Sequence, residues 1–153
     1  MKTLRMILTA AALSAVAAPV LADEVTYRED ITPLFEKHCA ACHGAQSPYV
    51  GEFDEDKDRY VEMNQGPRMD SYADLIMFVV YPDTGALMRR LDDGSNHPEG
   101  KPGNMYEHLG EDASERERNH ATFKAWVGGA DAWNLERWDD VTKEQLDALM
   151  LTY

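Results

Sequence analysis

At 153 residues the chain is one domain's worth, enough for a modest core of a few helices and too short for a second large catalytic domain. Its 15 Lys and Arg face 28 Asp and Glu, a net charge of -13. Such a surface repels nucleic acid and anionic lipid and favours protein partners with basic docking patches, an attraction that weakens as salt rises.

Residues 1–22 read as an export signal. Lys2 and Arg5 give a basic start, Met6 to Ala18 an apolar run, and Val20-Leu21-Ala22 a small-residue cleavage site. The run is shorter than the roughly 20 residues a spanning helix needs. The mature chain is expected to begin near Asp23, in a bacterial periplasm or outside the cell, with no later segment able to span a membrane. Cleavage removes Lys2 and Arg5 and no acid, leaving 13 basic against 28 acidic residues, a net of -15.

In chain order, Ile31, Leu34 and Phe35 recur at helical spacing, and Thr32 as cap with Pro33 at the first position starts a short helix toward His38. Gly44 to Gly66 reads as a polar acidic loop. Its Asp54, Asp56 and Asp58 resemble the start of a calcium loop, but Arg59 stands where Gly is needed and Gln65 where Glu is needed. Asp70 or Ser71 caps a predicted helix through Val80, with Tyr72, Leu75, Ile76 and Val79 on one face, and Pro82 stops it. A further helix is predicted over Thr84 to Leu91, ended by Gly94, and a Gly/Pro/Asn loop over Asp93 to Gly103. The most regular helix spans Ser114 to Val127, with Ser114 as cap, Glu117 three residues on, and Phe123, Trp126 and Val127 as its stripe. Trp133, Leu135 and Trp138 follow, then a short helix from Thr142 to Leu151. No strand-period run or repeat is evident.

The chemistry sits in His38-Cys39-Ala40-Ala41-Cys42-His43-Gly44, which holds the only two cysteines. A structural zinc site needs four ligands, and neither a second C-x-x-C nor an H-x(3–5)-H pair follows. Iron-sulfur clusters need more thiolates. A thioredoxin-like pair expects a preceding strand in a βαβ unit, and none is predicted. An ordinary disulfide is the bland alternative. The pattern C-x-x-C-H instead suits one covalently attached haem c. Cys39 and Cys42, three apart, can form thioethers to the two vinyl groups, and His43 follows as the proximal iron ligand.

Tyr27 to Phe35 followed by C-A-A-C-H-G resembles the opening of a monohaem class I c-type cytochrome. The similarity continues in Arg68-Met69-Asp70-Ser71-Tyr72-Ala73-Asp74-Leu75-Ile76, in Leu87-Met88-Arg89-Arg90-Leu91, and in Phe123-Lys124-Ala125-Trp126-Val127-Gly128-Gly129-Ala130, over about residues 25 to 130. The resemblance implies an all-α cytochrome c fold whose N- and C-terminal helices cross around the haem, with Phe35 packed against Phe123 and Trp126. Residues 23–130 would form the haem domain, and 131–153 an extension packing on it or on a partner.

Such proteins usually place a methionine opposite the histidine, shortly before the last helix. Met105, 18 positions before Phe123, occupies that place, although Tyr106-Glu107 stands where the family carries two prolines. Met88, Met63, a histidine such as His108 or His97, or an open position are the alternatives; Met69 and Met77 read as packing, Met150 as tail, and His38 and His120 as surface or interface residues. The second ring nitrogen of His43 is expected to donate to a backbone carbonyl, with Pro67 and Pro48 as candidates. The leading expectation is a periplasmic electron carrier rather than an enzyme. A haem-bearing subunit of a larger oxidoreductase and a small-ligand sensor are the alternatives, and a two-haem peroxidase is disfavoured by the single C-x-x-C-H.

Overall fold

The computed structural model describes residues 24–153; the export signal read in residues 1–22 lies outside them. The chain enters through a π-helical turn, Tyr27–Ile31. Thr26 caps it: its hydroxyl accepts from the Glu29 N–H at 3.1 Å while its own N–H donates to Asp30 Oδ2 at 2.8 Å. The turn runs directly into α1 (Thr32–His38), whose Pro33 sits in the first turn, where its missing N–H costs nothing. Then follow α2 (Ala40–His43), α3 (Val50–Glu55), α4 (Lys57–Glu62), α5 (Tyr72–Ile76), α6 (Ala86–Leu91), a 3₁₀ turn (Tyr106–Leu109), α7 (Ala113–Val127) and α8 (Lys143–Asp147). Among the described residues there is no strand, so the fold is all-α.

The entry turn packs on α7 and on α1. Ile31 and Phe35 from this end share one buried cluster with Leu75, Met88, Phe123 and Trp126. Each such side chain contributes about 1.5–3 kcal/mol of hydrophobic stabilisation.

Several elements differ from the expectations. The segment from Gly44 to Gly66 is not all loop: α3 and α4 form within it, tied together by a stack of Phe53 on Tyr60 with ring centroids 6.1 Å apart. Its acidic residues masked this local apolar pair. The helix starting after Ser71 stops at Ile76 instead of Val80, where the chain tightens into turns: Phe78 and Val79 N–H groups bond three residues back, to the Leu75 and Ile76 carbonyls, at 3.1 and 3.0 Å. Ser71 is its cap, accepting from Asp74 N–H at 3.1 Å. The next helix begins at Ala86 rather than Thr84 and ends at Leu91, ahead of Gly94. Gly85 precedes it at φ +71°, and a Cβ there would meet the Glu136 carbonyl oxygen at 2.4 Å. α7 is capped by Asp112 and not by Ser114: Asp112 Oδ1 accepts from Glu115 N–H at 2.8 Å, so the helix starts one residue earlier. The last short helix, expected from Thr142 to Leu151, runs only from Lys143 to Asp147 as α8, with Thr142 as its cap and Gln145 returning the bond at 2.8 Å. His120, expected to be a surface or interface residue, is buried between Tyr106 and Trp133.

Residues 131–153 return over the core. Trp133 is buried and donates its indole N–H to Asp92 at 3.2 Å. The Thr152 carbonyl accepts from both Trp126 Nε1 at 3.0 Å and Tyr27 N–H at 2.8 Å, and Tyr72 donates its hydroxyl to the Leu151 carbonyl at 2.7 Å. Among the described residues no helix is long and apolar enough to cross a membrane.

Candidate functional site

The end of α1 sets the geometry of the cysteine motif. The Cys39 N–H donates to the Phe35 carbonyl at 2.8 Å, and the N–H groups of Cys42 and His43 both return to the Cys39 carbonyl, at 3.1 and 2.9 Å. This single turn puts Cys39, Cys42 and His43 on the wall of one cavity of about 780 Å³. Phe35, Leu75, Leu91 and Phe123 give that cavity its apolar lining, and Met105 is also on its wall. Neither cysteine is in a disulfide, Cys39 being half-buried and Cys42 exposed.

His43 is held from two sides. Its Nδ1 lies 2.8 Å from the Pro67 carbonyl oxygen, so Nδ1 donates and Nε2 keeps its lone pair. Pro48 has a different task, its carbonyl accepting from Arg68 N–H at 2.7 Å. The strip 66–69 grips the motif's backbone through Gly66 N–H to the Cys42 carbonyl at 2.8 Å and Met69 N–H to the His43 carbonyl at 2.9 Å. Gly66 lies so close that a Cβ on it would fall 2.1 Å from His43 Cε1. Burial pushes the His43 pKa below its ordinary value; the bond to Pro67 opposes that shift and the charge of His108 adds to it, so the imidazole is neutral. Burial, with Cys42 nearby, pushes the Cys39 thiol up to about 12. The pocket therefore disfavours a thiolate and accommodates an uncharged sulfur.

The expected distal residues separate clearly. Met105 is half-buried, and its N–H donates to the Arg90 carbonyl at 2.9 Å. Met88 is fully buried in α6 and does not line the cavity, while Met63 and Met150 are exposed. Met69 lines the cavity, but its backbone is bonded to His43, on the wall of the imidazole. His108 also lines the cavity, with its side chain 61% exposed. His97 lies instead on a second, polar cavity of about 590 Å³. His38 lines the first cavity and lies 3.3 Å from the Asn119 amide nitrogen. Sequence reasoning missed Lys57, Arg90 and Asn104, which also border the main cavity. Isolated polar residues carry no periodic signal, and only the folding of α4 and the 103–105 loop brings them there.

This arrangement, a C-x-x-C-H turn at the end of α1 beside a haem-sized apolar cavity lined from α1 and α7, is that of a monohaem c-type cytochrome. The family model described as PccH cytochrome c matches residues 26–153, and the chain belongs to that family. Among solved structures it resembles the monohaem cytochrome PccH from Geobacter sulfurreducens, at 54% sequence identity over 85% of this chain and 99% of that one, with a TM-score of 0.78. Comparison with curated proteins finds no match.

Membership of the family brings one covalently bound haem c, and the protein is a haem electron-transfer protein. The residues present fit that group. The cavity is apolar, both cysteines on its wall are free, and the imidazole beside them is neutral with Nδ1 already bonded. Among the described residues no three His, Cys, Asp or Glu side chains converge as a separate metal cluster.

Proposed function

We propose that this chain is a periplasmic electron carrier in which Cys39 and Cys42 hold the haem by thioether bonds, His43 Nε2 is the proximal iron ligand and Met105 the distal one. The observation that carries this reading is the convergence of those four residues on one cavity, with the His43 ring oriented by Pro67. The bound haem supplies a one-electron ferric/ferrous couple. Cys39 and Cys42 keep it from dissociating in an exported protein. Pro67 fixes the tautomer and ring plane of His43 and raises its basicity as a ligand. A thioether from Met105 favours ferrous iron and raises the potential. The apolar walls from Phe35, Leu75 and Phe123 exclude water. Residues 1–22 are the cleaved leader, 23–130 the haem domain, and 131–153 an extension packed on it. The mature charge of -15 suits partners with basic patches, so exchange with a basic redox partner slows as ionic strength rises.

The test is the ferric absorption spectrum. Wild type is expected to show the weak long-wavelength band of methionine-ligated iron, and Met105→Ala to lose it and bind carbon monoxide when reduced. A band that persists in the variant assigns the position to another residue. Carbon monoxide binding by reduced wild type, without that band, would favour a ligand sensor. One further observation supports a second reading, a haem-bearing subunit of a larger oxidoreductase: Trp138 and Tyr81, 48% and 60% exposed, pair edge-on at 4.9 Å on the outer face of the extension. Co-purification with a second polypeptide that Trp138→Ser abolishes would establish it.

A further inference from the structure

The loop that carries Met105 is a strip of backbone laid along the end of α6. A helix leaves its last carbonyls without partners inside the helix. Here the loop supplies donors: Gly103 N–H to the Asp92 carbonyl at 2.8 Å, and Met105 N–H to the Arg90 carbonyl at 2.9 Å. The approach is close, since a Cβ on Gly103 would fall 2.3 Å from the Arg90 carbonyl oxygen and 2.4 Å from that of Arg89. Arg90 also reaches the loop with its side chain, donating from NH1 to Asn104 Oδ1 at 2.8 Å. One residue thus holds Met105 by its carbonyl and the preceding residue by its guanidinium. The two positions involved, Arg90 and Asn104, line both the large cavity and the polar cavity beside it.

The neighbouring arginine cannot take this role. Arg89 spends its NH1 donor on the carbonyls of Thr84, Leu135 and Glu136, at 2.8, 3.1 and 3.0 Å, and its NH2 on Asp83 at 3.0 Å. Arg89 therefore fastens the extension to α6. Arg90, an exposed residue, makes no ion pair among the described residues; the other charged side chains on the cavity lining are Lys57, Asp54 and Asp83, the last already paired with Arg89.

We infer that Arg90 is the positioning residue of the distal side: through Asn104 it clamps the loop that presents Met105, and its unpaired charge at the cavity rim biases the iron toward the ferrous state. The inference rests on the reading of Met105 as the distal ligand. A positive charge near the iron opposes the extra charge of the ferric form, and a firmly held thioether also favours ferrous iron, so both effects act in one direction. The backbone bond from Met105 to the Arg90 carbonyl survives any side-chain change at 90, which keeps the loop folded in the variants.

The experiment uses the haem-loaded protein. Arg90→Gln is expected to shift the ferric/ferrous equilibrium toward ferric by about tenfold, close to 59 mV for one electron. It is also expected to speed binding of added imidazole to ferric iron about tenfold. Asn104→Ala should reproduce the faster imidazole binding with the smaller change in potential, because it loosens the loop and keeps the charge. Arg90→Lys should recover most of the potential. In the double variant Arg90→Gln/Asn104→Ala, imidazole binding should be no faster than in Arg90→Gln alone, since both changes remove one interaction. Arg59→Gln, a charge change at an exposed position outside the cavity lining, is the control and should behave as wild type. An Arg90→Gln protein with wild-type potential and imidazole kinetics overturns the inference, provided Met105→Ala loses its iron band. Retention of the band in Met105→Ala would instead overturn the ligand assignment itself.

Discussion

Gly66 works by what it lacks. Any side chain there would intrude on the imidazole of His43, since even a methyl would lie 2.1 Å from Cε1, and the strip carrying it is fixed by bonds to Cys42 and His43. Gly66→Ala is therefore expected to cost about 1–3 kcal/mol by overpacking and to tilt the ring away from the Pro67 carbonyl. A lower denaturant midpoint together with an altered Soret band in the haem-loaded protein would show both effects. His120 is a different kind of residue: buried, with Nε2 lacking any hydrogen-bond partner among the described residues. The groups facing it are the rings of Tyr106 and Trp133, Asp93 at 4.0 Å from Nδ1, Asp92 and Lys124. Burial lowers its pKa; Asp93 and Asp92 pull the other way and Lys124 reinforces the shift. Because the folded pKa lies below the ordinary 6.5, the unfolded chain takes up the proton first as pH falls. The stability contributed by neutral His120 is then complete above about pH 6.5 and is lost progressively below it. Thermal midpoints measured from pH 7.5 to 5 should fall, and His120→Phe should flatten that slope.

Among the helices, α7 does the most with the least local help. Its 15 residues carry a single apolar edge of Phe123, Trp126 and Val127, and its start depends on one carboxylate, Asp112, accepting from Glu115 N–H. Glu115 in turn accepts from Glu111 N–H at 2.8 Å and from Lys37 of α1 at 2.5 Å, and the Lys37 ammonium holds its carboxyl down to about 2. The first turn of α7 is thus a junction with α1, next to the cysteines. Asp112→Ala should cost about 1 kcal/mol, seen as a thermal midpoint lower by about 4 °C, whereas Ser114→Ala should leave it unchanged. The same helix shows what could be read in advance. The cysteine turn, the shared burial of Phe35 with Phe123 and Trp126, and the presence of Met105 on the cavity wall were legible because they rest on short-range spacing or strong apolar periodicity. The start of α7 was misassigned to Ser114 because Asp112, Ser114 and the acidic residues after each make equally good caps in sequence, and only packing against α1 decides. α3 and α4 were hidden for the opposite reason: Phe53 stacks on Tyr60 and the two helices form part of the cavity wall, while most of their exposed residues are charged. Arg90 and Asn104 stand 14 positions apart, a separation with no local signature.

Over the whole molecule, the final residues serve as structural acceptors for the first ones. The Thr152 carbonyl serves both Trp126 Nε1 and Tyr27 N–H, the Leu151 carbonyl serves the Tyr72 hydroxyl, and Tyr153 stacks on Tyr27 at 5.8 Å. Removal of residues 149–153 leaves the buried indole N–H of Trp126 without its acceptor and uncovers an aromatic cluster. Losing that acceptor alone costs about 1–3 kcal/mol. The truncated chain should unfold at clearly lower denaturant than full-length protein, and a truncation that kept full stability would show the extension to be dispensable.

The bond from Tyr27 to Thr152 also orders events in time. It joins residues 125 positions apart, among the most distant pairs the chain makes, so the entropy of closing that loop is spent late in folding. Until the last residues arrive, the first helical turn lacks the Tyr153 ring that stacks on Tyr27 and the Thr152 carbonyl that accepts its N–H. A polypeptide emerging from its N-terminus therefore brings out the turn of Cys39 and Cys42 more than a hundred residues ahead of the segment that closes over Tyr27.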